Sequence, residues 1–247
     1  AILLFLHELG GIFMFGHSLW RTFFTTKGNF EPIIRQIAYV SFRSLTTVLF
    51  AGLFVGAILV LQFNQILQEY DAQIFLGGLN TSAVVREVGP LIISFLLAGK
   101  IGAFTAAELG TMRVTEQIDA MRTLSVNPYH YLIAPRVIAG TVTLPLLVLL
   151  GDIIGVYGGY VVAIHVLGFN SGSYLFQSWD ILETMDVVSG LIKAGAFGFI
   201  VAVMGCYQGY YSGRGAQGVG AATTYAVVSA SILILIVNYF MTQVLFS

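Results

Sequence analysis

The sequence predicts an all-α integral membrane protein, with an N-terminal interfacial helix, five transmembrane helices and a short cytoplasmic helix between the second and third spans. Three observations predict it. Of 247 residues, 57% are hydrophobic and only 9% are charged; mean hydropathy is +0.87, and a soluble domain carries about 25% charged residues. Five apolar segments reach the ~20 residues that a helix needs to cross the hydrocarbon core. Finally, Lys and Arg alternate between loops in the manner that sets membrane orientation.

The spans are read at 44–68, 83–107, 131–167, 187–210 and 221–246. The third is long enough to tilt or to extend past the lipid. Residues 1–24 are also apolar, but His7, Glu8, Gly10, Gly11, His17 and Arg21 interrupt them. That pattern fits a helix lying along the membrane surface better than a sixth span. A single domain over 1–247 is expected, with interfacial helix and linker in 1–43 and the bundle in 44–246. The chain opens at Ala1, so missing N-terminal residues are expected; no basic segment followed by a small-residue cleavage site is visible, and no cleaved signal peptide is expected.

Orientation follows from the loops. Arg21, Lys27, Arg35 and Arg43 precede the first span; Arg113 and Arg122 follow the second, with Arg136 just beyond; Arg214 lies in the last loop. The loop around 168–186 has no Lys or Arg but carries Asp180, Glu183 and Asp186, read as a solvated outer loop. The N-terminus is therefore expected in the cytoplasm and the C-terminus outside.

A net charge of -1 argues against nucleic acid as a partner. Cys206, the single cysteine, excludes an intrachain disulfide and reads as a small core residue. Gly213-Arg214-Gly215-Ala216-Gln217-Gly218 matches a dinucleotide fingerprint, yet no strand precedes it, so it reads as a cytoplasmic turn. His7-Glu8 lacks the second histidine of a zinc pair, because position 11 is Gly. No nucleophile elbow and no phosphate loop occurs, so neither a catalytic residue, a metal site nor ATP hydrolysis is expected in this chain.

The segment 111–124 reads as an amphipathic helix capped by Thr111 or Thr115. Val114, Ile118, Met121 and Leu124 recur at helical spacing, with Arg113, Glu116, Asp119 and Arg122 elsewhere. Asn127-Pro128 then starts the next helix. A short mixed-charge element held between two spans is a handle for a soluble partner; the alternative is an ordinary loop helix on the membrane surface. Close glycine pairs, Gly52/Gly56, Gly151/Gly155/Gly159 and Gly205/Gly209/Gly213, let backbones approach, either within one subunit or at a dimer seam.

Arg86, Glu87, Lys100, Glu108, Asp152, His165 and Lys193 sit in or at the ends of spans, where ionisable side chains face cavities or one another. Arg86 and Lys193 offer cationic contacts for a lipid phosphate; the alternative is an Arg86–Glu87–Lys193 network that locks helices together. Lys100 and Glu108 read as packing or snorkelling residues.

R-E-V-G-P at 86–90, A-G-K-I-G-A at 98–103, A-E-L-G-T-M-R-V-T-E-Q-I-D-A-M at 107–121 and V-N-P-Y-H-Y-L-I-A-P-R at 126–136 together resemble the MlaE permease family over nearly the whole chain. Lys100 stands where many relatives have arginine. The resemblance implies the membrane subunit of an ABC-type phospholipid transporter in the inner membrane of Gram-negative bacteria, maintaining outer-membrane lipid asymmetry. It implies a homodimer with a lipid chamber on its two-fold axis and an ATPase subunit, carrying ATP-Mg, bound through Val114, Glu116, Ile118, Asp119, Met121 and Arg122. A STAS-domain protein on that ATPase and a periplasmic MCE-domain hexamer complete the implied assembly. Matching G-L-F-V-G-A-I-L-V-L-Q places the lipid-contacting positions at Leu59, Ile66, Leu67 and Tyr70, with Arg86, Glu87 and Lys193 at the polar end. Residues alone leave three rivals: an ion-coupled secondary transporter, an intramembrane lipid-modifying enzyme and a structural scaffold. Direction of transport and head-group preference stay open.

Overall fold

The computed structural model describes residues 10–19 and 31–246. Residues 10–19 form helix α1. Five long helices follow, each apolar and long enough to cross a membrane: α2 (Glu31–Glu69), α3 (Gln73–Val114), α5 (Tyr129–His165), α7 (Thr184–Tyr210) and α8 (Gly215–Phe246). Two short helices join them, α4 (Gln117–Thr123) and α6 (Ser171–Ile181). The five expected spans are all present; four of the helices run longer than expected, and α5 has the expected length of 37 residues, set two residues earlier. α2 is described from Glu31 rather than 44, because the mixed stretch 31–43 continues the helical register. His7, Glu8, Arg21 and Lys27 lie outside the described residues.

Two compact units divide the chain: one draws on Ala1–Val40, Leu97–Thr143 and Gly198–Leu235, the other on Ser41–Leu96, Leu144–Phe197 and Ile236–Ser247. In the first unit, Leu97, Leu109, Ile118, Ile133 and Met204 are buried together with the free thiol of Cys206. Gly205 and Gly209 of α7 lie against the backbone of Gly102 and Ala106 of α3, with no room for a Cβ. Phe15 of α1 is buried against the rings of Tyr129, Tyr207, Tyr210 and Tyr211, 5.4–6.3 Å between centroids, so aromatic contacts hold the N-terminal helix. Arg136 Nη2 pairs with Glu108 Oε2 at 2.9 Å, giving Glu108 a structural partner as well as a position near a helix end.

In the second unit, Gly52 abuts Gly151 and Gly56 abuts Gly155, backbone on backbone. These glycines therefore pack helices within the chain. The expected outer loop is partly helical. Asn170 Oδ1 accepts from Ser173 N at 3.2 Å and caps α6, and α6 buries Tyr174 and Ser178 against Gly77 and Gly78 of α3. Asp186 is a correction: instead of being solvated, it is 4% exposed.

Helix α4 is also shorter than expected. Residues 111–114 continue α3, and the break falls at Glu116, whose φ is +58°. Neither threonine caps α4: Thr111 Oγ1 donates to the Ala107 carbonyl and Thr115 Oγ1 to the Thr111 carbonyl, both back along α3. The expected restart at Asn127-Pro128 is seen, with Asn127 Oδ1 accepting from Tyr129 N at 3.0 Å. Of the glycine-rich segment Gly213–Gly218, only Gly213 and Arg214 lie in the turn between α7 and α8; Gly215, at φ +77°, opens α8, and residues 216–218 are its first turn.

Candidate functional site: two ion-pair clusters

The first cluster lies in the second unit and grows out of a local irregularity of α3. Residues Val84–Val88 form a π turn in which Gly89 N–H donates to the Val84 carbonyl, five residues back. Such bulges recur at functional sites because they re-aim side chains. Pro90 has no N–H to give to the Arg86 carbonyl in the normal helical register, and Lys193 Nζ of α7 donates to that carbonyl at 3.2 Å. The same ammonium pairs with Glu87 Oε1 and donates to Thr242 Oγ1 at 2.9 Å.

Thr242 Oγ1 in turn donates to Glu87 Oε1 at 2.8 Å, and Asn238 Nδ2 donates to Glu87 Oε2 at 3.3 Å. Glu87 thus gathers donors from two other helices. Lys193 is fully buried, a position in which a charge requires a close partner and hydrogen bonds. Arg86 points elsewhere: its Nε pairs with Asp186 Oδ1 at 3.2 Å, while its side chain keeps 38% of its surface exposed. Arg86 and Glu87, with Phe63, Leu79, Ser82, Ala83 and Thr242, line a cavity of about 400 Å³.

Of the apolar positions expected beside this cluster, Ile66 and Tyr70 are exposed (56% and 74%). Leu59 is half-buried on the same helical face. Leu67 is half-buried and, like Phe63, packs against the core cluster of Val60, Leu76, Ala163 and Tyr174. Phe63 continues the Leu59–Ile66–Tyr70 face, four residues after the first and three before the second, and sequence reasoning passed over it. It also missed Asn238 and Thr242. Their signal was a pair of polar residues one helical turn apart within an apolar span.

The second cluster lies in the first unit. Asp119 of α4 accepts from Arg113 Nη1 at 2.9 Å and from Arg122 Nη1 at 3.5 Å. Arg122 Nη2 also donates to Tyr210 Oη at 2.5 Å. That hydroxyl stabilises the guanidinium and moves Arg122 above its ordinary value. Ile118 is buried and anchors α4, whereas Val114 and Leu124 are exposed (39% and 75%) and Met121 is half-buried. The apolar face read from spacing is therefore split, one residue holding the helix and others facing outward. Arg113, Val114, Glu116 and Asp119 line a polar cavity of about 410 Å³ with Ser212, Gly213 and Arg214. Arg214 and Tyr210 were not singled out for this place by the sequence reading, since neither is near α4 along the chain.

Comparison with known proteins gives the family. The family model described as Permease MlaE matches residues 33–244. A "Probable ABC transporter permease protein" of Rickettsia felis is 51% identical over 214 residues, covering 87% of this chain and 83% of the relative. The "Intermembrane phospholipid transport system permease protein MlaE" of Haemophilus influenzae is 32% identical over 249 residues, covering 98% and 93%. A "Probable ABC transporter permease protein" of Synechocystis is 35% identical over 218 residues, covering 88% and 83%. With five membrane-length helices and these relatives, the chain belongs to the MlaE permease family.

Proposed function

We propose that this chain is the phospholipid-moving membrane subunit of an ABC-type system in a Gram-negative inner membrane. In this reading two copies enclose a chamber lined by Leu59, Phe63, Ile66 and Tyr70, and the Arg86 guanidinium meets the lipid phosphate at its polar end. Lys193 and Glu87 hold that end open by fixing α3 to α7 and α8, and Leu67 backs the chamber wall. Helix α1 lies along the cytoplasmic surface, and the C-terminus is periplasmic.

The observation that carries the reading is the cavity shared by Phe63, Leu79, Arg86 and Glu87. It joins an apolar wall to a half-exposed cation, the two features an acyl chain and a phosphate require. The α4 cluster supports the energy-coupling half. Val114, Glu116 and Arg122 are exposed, Asp119 and Met121 are half-buried, and Ile118 roots the helix in the core, which leaves a mixed-charge surface. A cytoplasmic ATPase holding ATP-Mg docks there and carries a STAS-domain subunit, while a periplasmic MCE-domain hexamer receives or delivers lipid. The permease itself carries no cofactor and breaks no bond. It works by differing in lipid affinity between two conformations that the ATPase cycle selects.

The test is lipid transfer to the periplasmic carrier by the reconstituted complex. Arg86→Ala is expected to lower transfer while assembly and basal ATPase persist. Unchanged transfer by a fully assembled Arg86→Ala complex contradicts the proposal.

A further inference from the structure

A second cavity in the same unit has the opposite chemistry. It measures about 350 Å³ and lies among α3, α5, α6 and α7, within the range of small-molecule sites. Nine of its twelve lining residues are apolar and none is basic. The three polar ones are Thr81, Asp152 and Ser178, which are 3%, 5% and 5% exposed.

Two of their oxygens, Asp152 Oδ1 and Thr81 Oγ1, are buried without a hydrogen-bond partner. Ser178 Oγ donates its proton to the Tyr174 carbonyl at 2.9 Å, which leaves its oxygen as an acceptor. A buried carboxyl without a partner is costly, and membrane-depth carboxyls meet a cation or a donor. The lining therefore holds one acidic side chain and two hydroxyl side chains among apolar residues.

We propose that this cavity is a separate ligand site that takes the ammonium head of a single-chain lipophilic amine. An alkylammonium brings N–H donors and one positive charge to a lining whose polar side chains are one carboxyl and two hydroxyls. Its chain has the apolar wall of Leu149, Val156 and Leu191. A phosphate or carboxylate head meets Asp152 with like charge and no lining cation. This separates the site from the Arg86 cavity, and its occupancy does not depend on the transport reading. Ile153 and Trp179 line it as well and are 57% and 75% exposed, which gives an amphiphile a way in from the lipid side.

The chain has two tryptophans, Trp20 and Trp179, so Trp20→Phe leaves Trp179 as the reporter in the cavity lining. The experiment titrates this variant, in phosphatidylcholine nanodiscs, with dodecylamine, dodecanol and dodecanoate. The expected result is a saturable change in Trp179 emission with dodecylamine. Asp152→Asn should raise its half-saturating concentration roughly tenfold or more, as loss of a charge-assisted bond implies. Thr81→Val, a second near-isosteric variant, should shift it a few-fold in the same direction. The proposal is overturned if the three amphiphiles act alike, if dodecanol or dodecanoate binds in preference, or if the folded Asp152→Asn and Thr81→Val proteins both titrate as the parent does.

Discussion

Lys193 Nζ reaches both the Glu87 carboxylate and the Arg86 backbone carbonyl, the latter at 3.2 Å. One buried ammonium thus meets consecutive residues of the R-E-V-G-P motif in two ways, as charge to the side chain and as a donor to a carbonyl that Pro90 cannot serve. The motif's proline and its glutamate have one shared partner on another helix. That relationship explains why a membrane span keeps a lysine that solvent does not reach.

Breaking the pair from one side should be worse than removing it. Lys193→Met leaves Glu87 with an uncompensated charge and is expected to cost about 3 kcal/mol, tempered by the carboxylate's partial exposure. Lys193→Met with Glu87→Gln should recover most of that loss. Thermal unfolding of the purified variants checks the order, and a double variant as unstable as the single one contradicts it.

Gly89 and Asp152 should show coupled energetics. A Cβ at Gly89 overlaps Asp152 Oδ1 and also crowds the Val84 carbonyl, so Gly89→Ala is expected to cost about 1–3 kcal/mol through overpacking. Asp152→Ala removes the first obstacle and leaves the second. The double variant should therefore be more stable than the two single losses add up to. Strict additivity in chemical or thermal unfolding contradicts the packing described.

Glu116 tests the role of α4. Its left-handed backbone costs a non-glycine residue about 1–2 kcal/mol, so Glu116→Gly should leave stability unchanged or raise it. If the side chain docks the ATPase, Glu116→Gly and Glu116→Ala should both weaken ATPase coupling in the assembled complex. Normal coupling in both variants removes Glu116 from the docking surface.

Tyr174 gives a pH-dependent prediction outside the spans. Burial pushes its phenol up to about 12, while the hydrogen bond from Asn80 Nδ2, at 3.2 Å, pulls the other way. The folded value lies above the ordinary value of about 10. Its contribution is therefore complete below pH ~10 and is lost as pH rises through about 12. Tyr174→Phe should flatten that alkaline loss. At neutral pH it should cost about 1–3 kcal/mol by stranding the buried Asn80 amide. Unfolding curves between pH 8 and 12 show both effects, and an alkaline slope unchanged in Tyr174→Phe contradicts the assignment.

Much of this architecture is legible along the chain, because bilayer thickness and backbone hydrogen bonding leave few solutions for long apolar segments. The five spans and the coil between α7 and α8 follow from apolar length and glycine placement. The Glu87–Lys193 pairing follows from the cost of charges at membrane depth. Spacing cannot show which way a charge turns. Arg86 goes to Asp186 while Glu87 goes to Lys193, two neighbours on α3 that point in different directions. Asp186 reads as loop from composition because its partner Arg86 lies far away in the sequence, although it sits in the first turn of α7. The break at Glu116 has no glycine or proline to announce it, so the helix expected over 111–124 splits. Tyr210 and Arg214 join α4 only through the return of α7, a tertiary event without a local signature.

The central claim is that this permease holds phospholipid against the α2 face beside Arg86. Site-specific photo-crosslinking in cells tests it, with probes at Leu59 and Tyr70 and a control at Ile232, exposed on α8. The account predicts strong phospholipid attachment at Leu59 and Tyr70, weak attachment at Ile232, and loss of the first two in Arg86→Ala. Equal labelling at all three positions, unchanged in Arg86→Ala, would show only surrounding bilayer lipid and contradict the account.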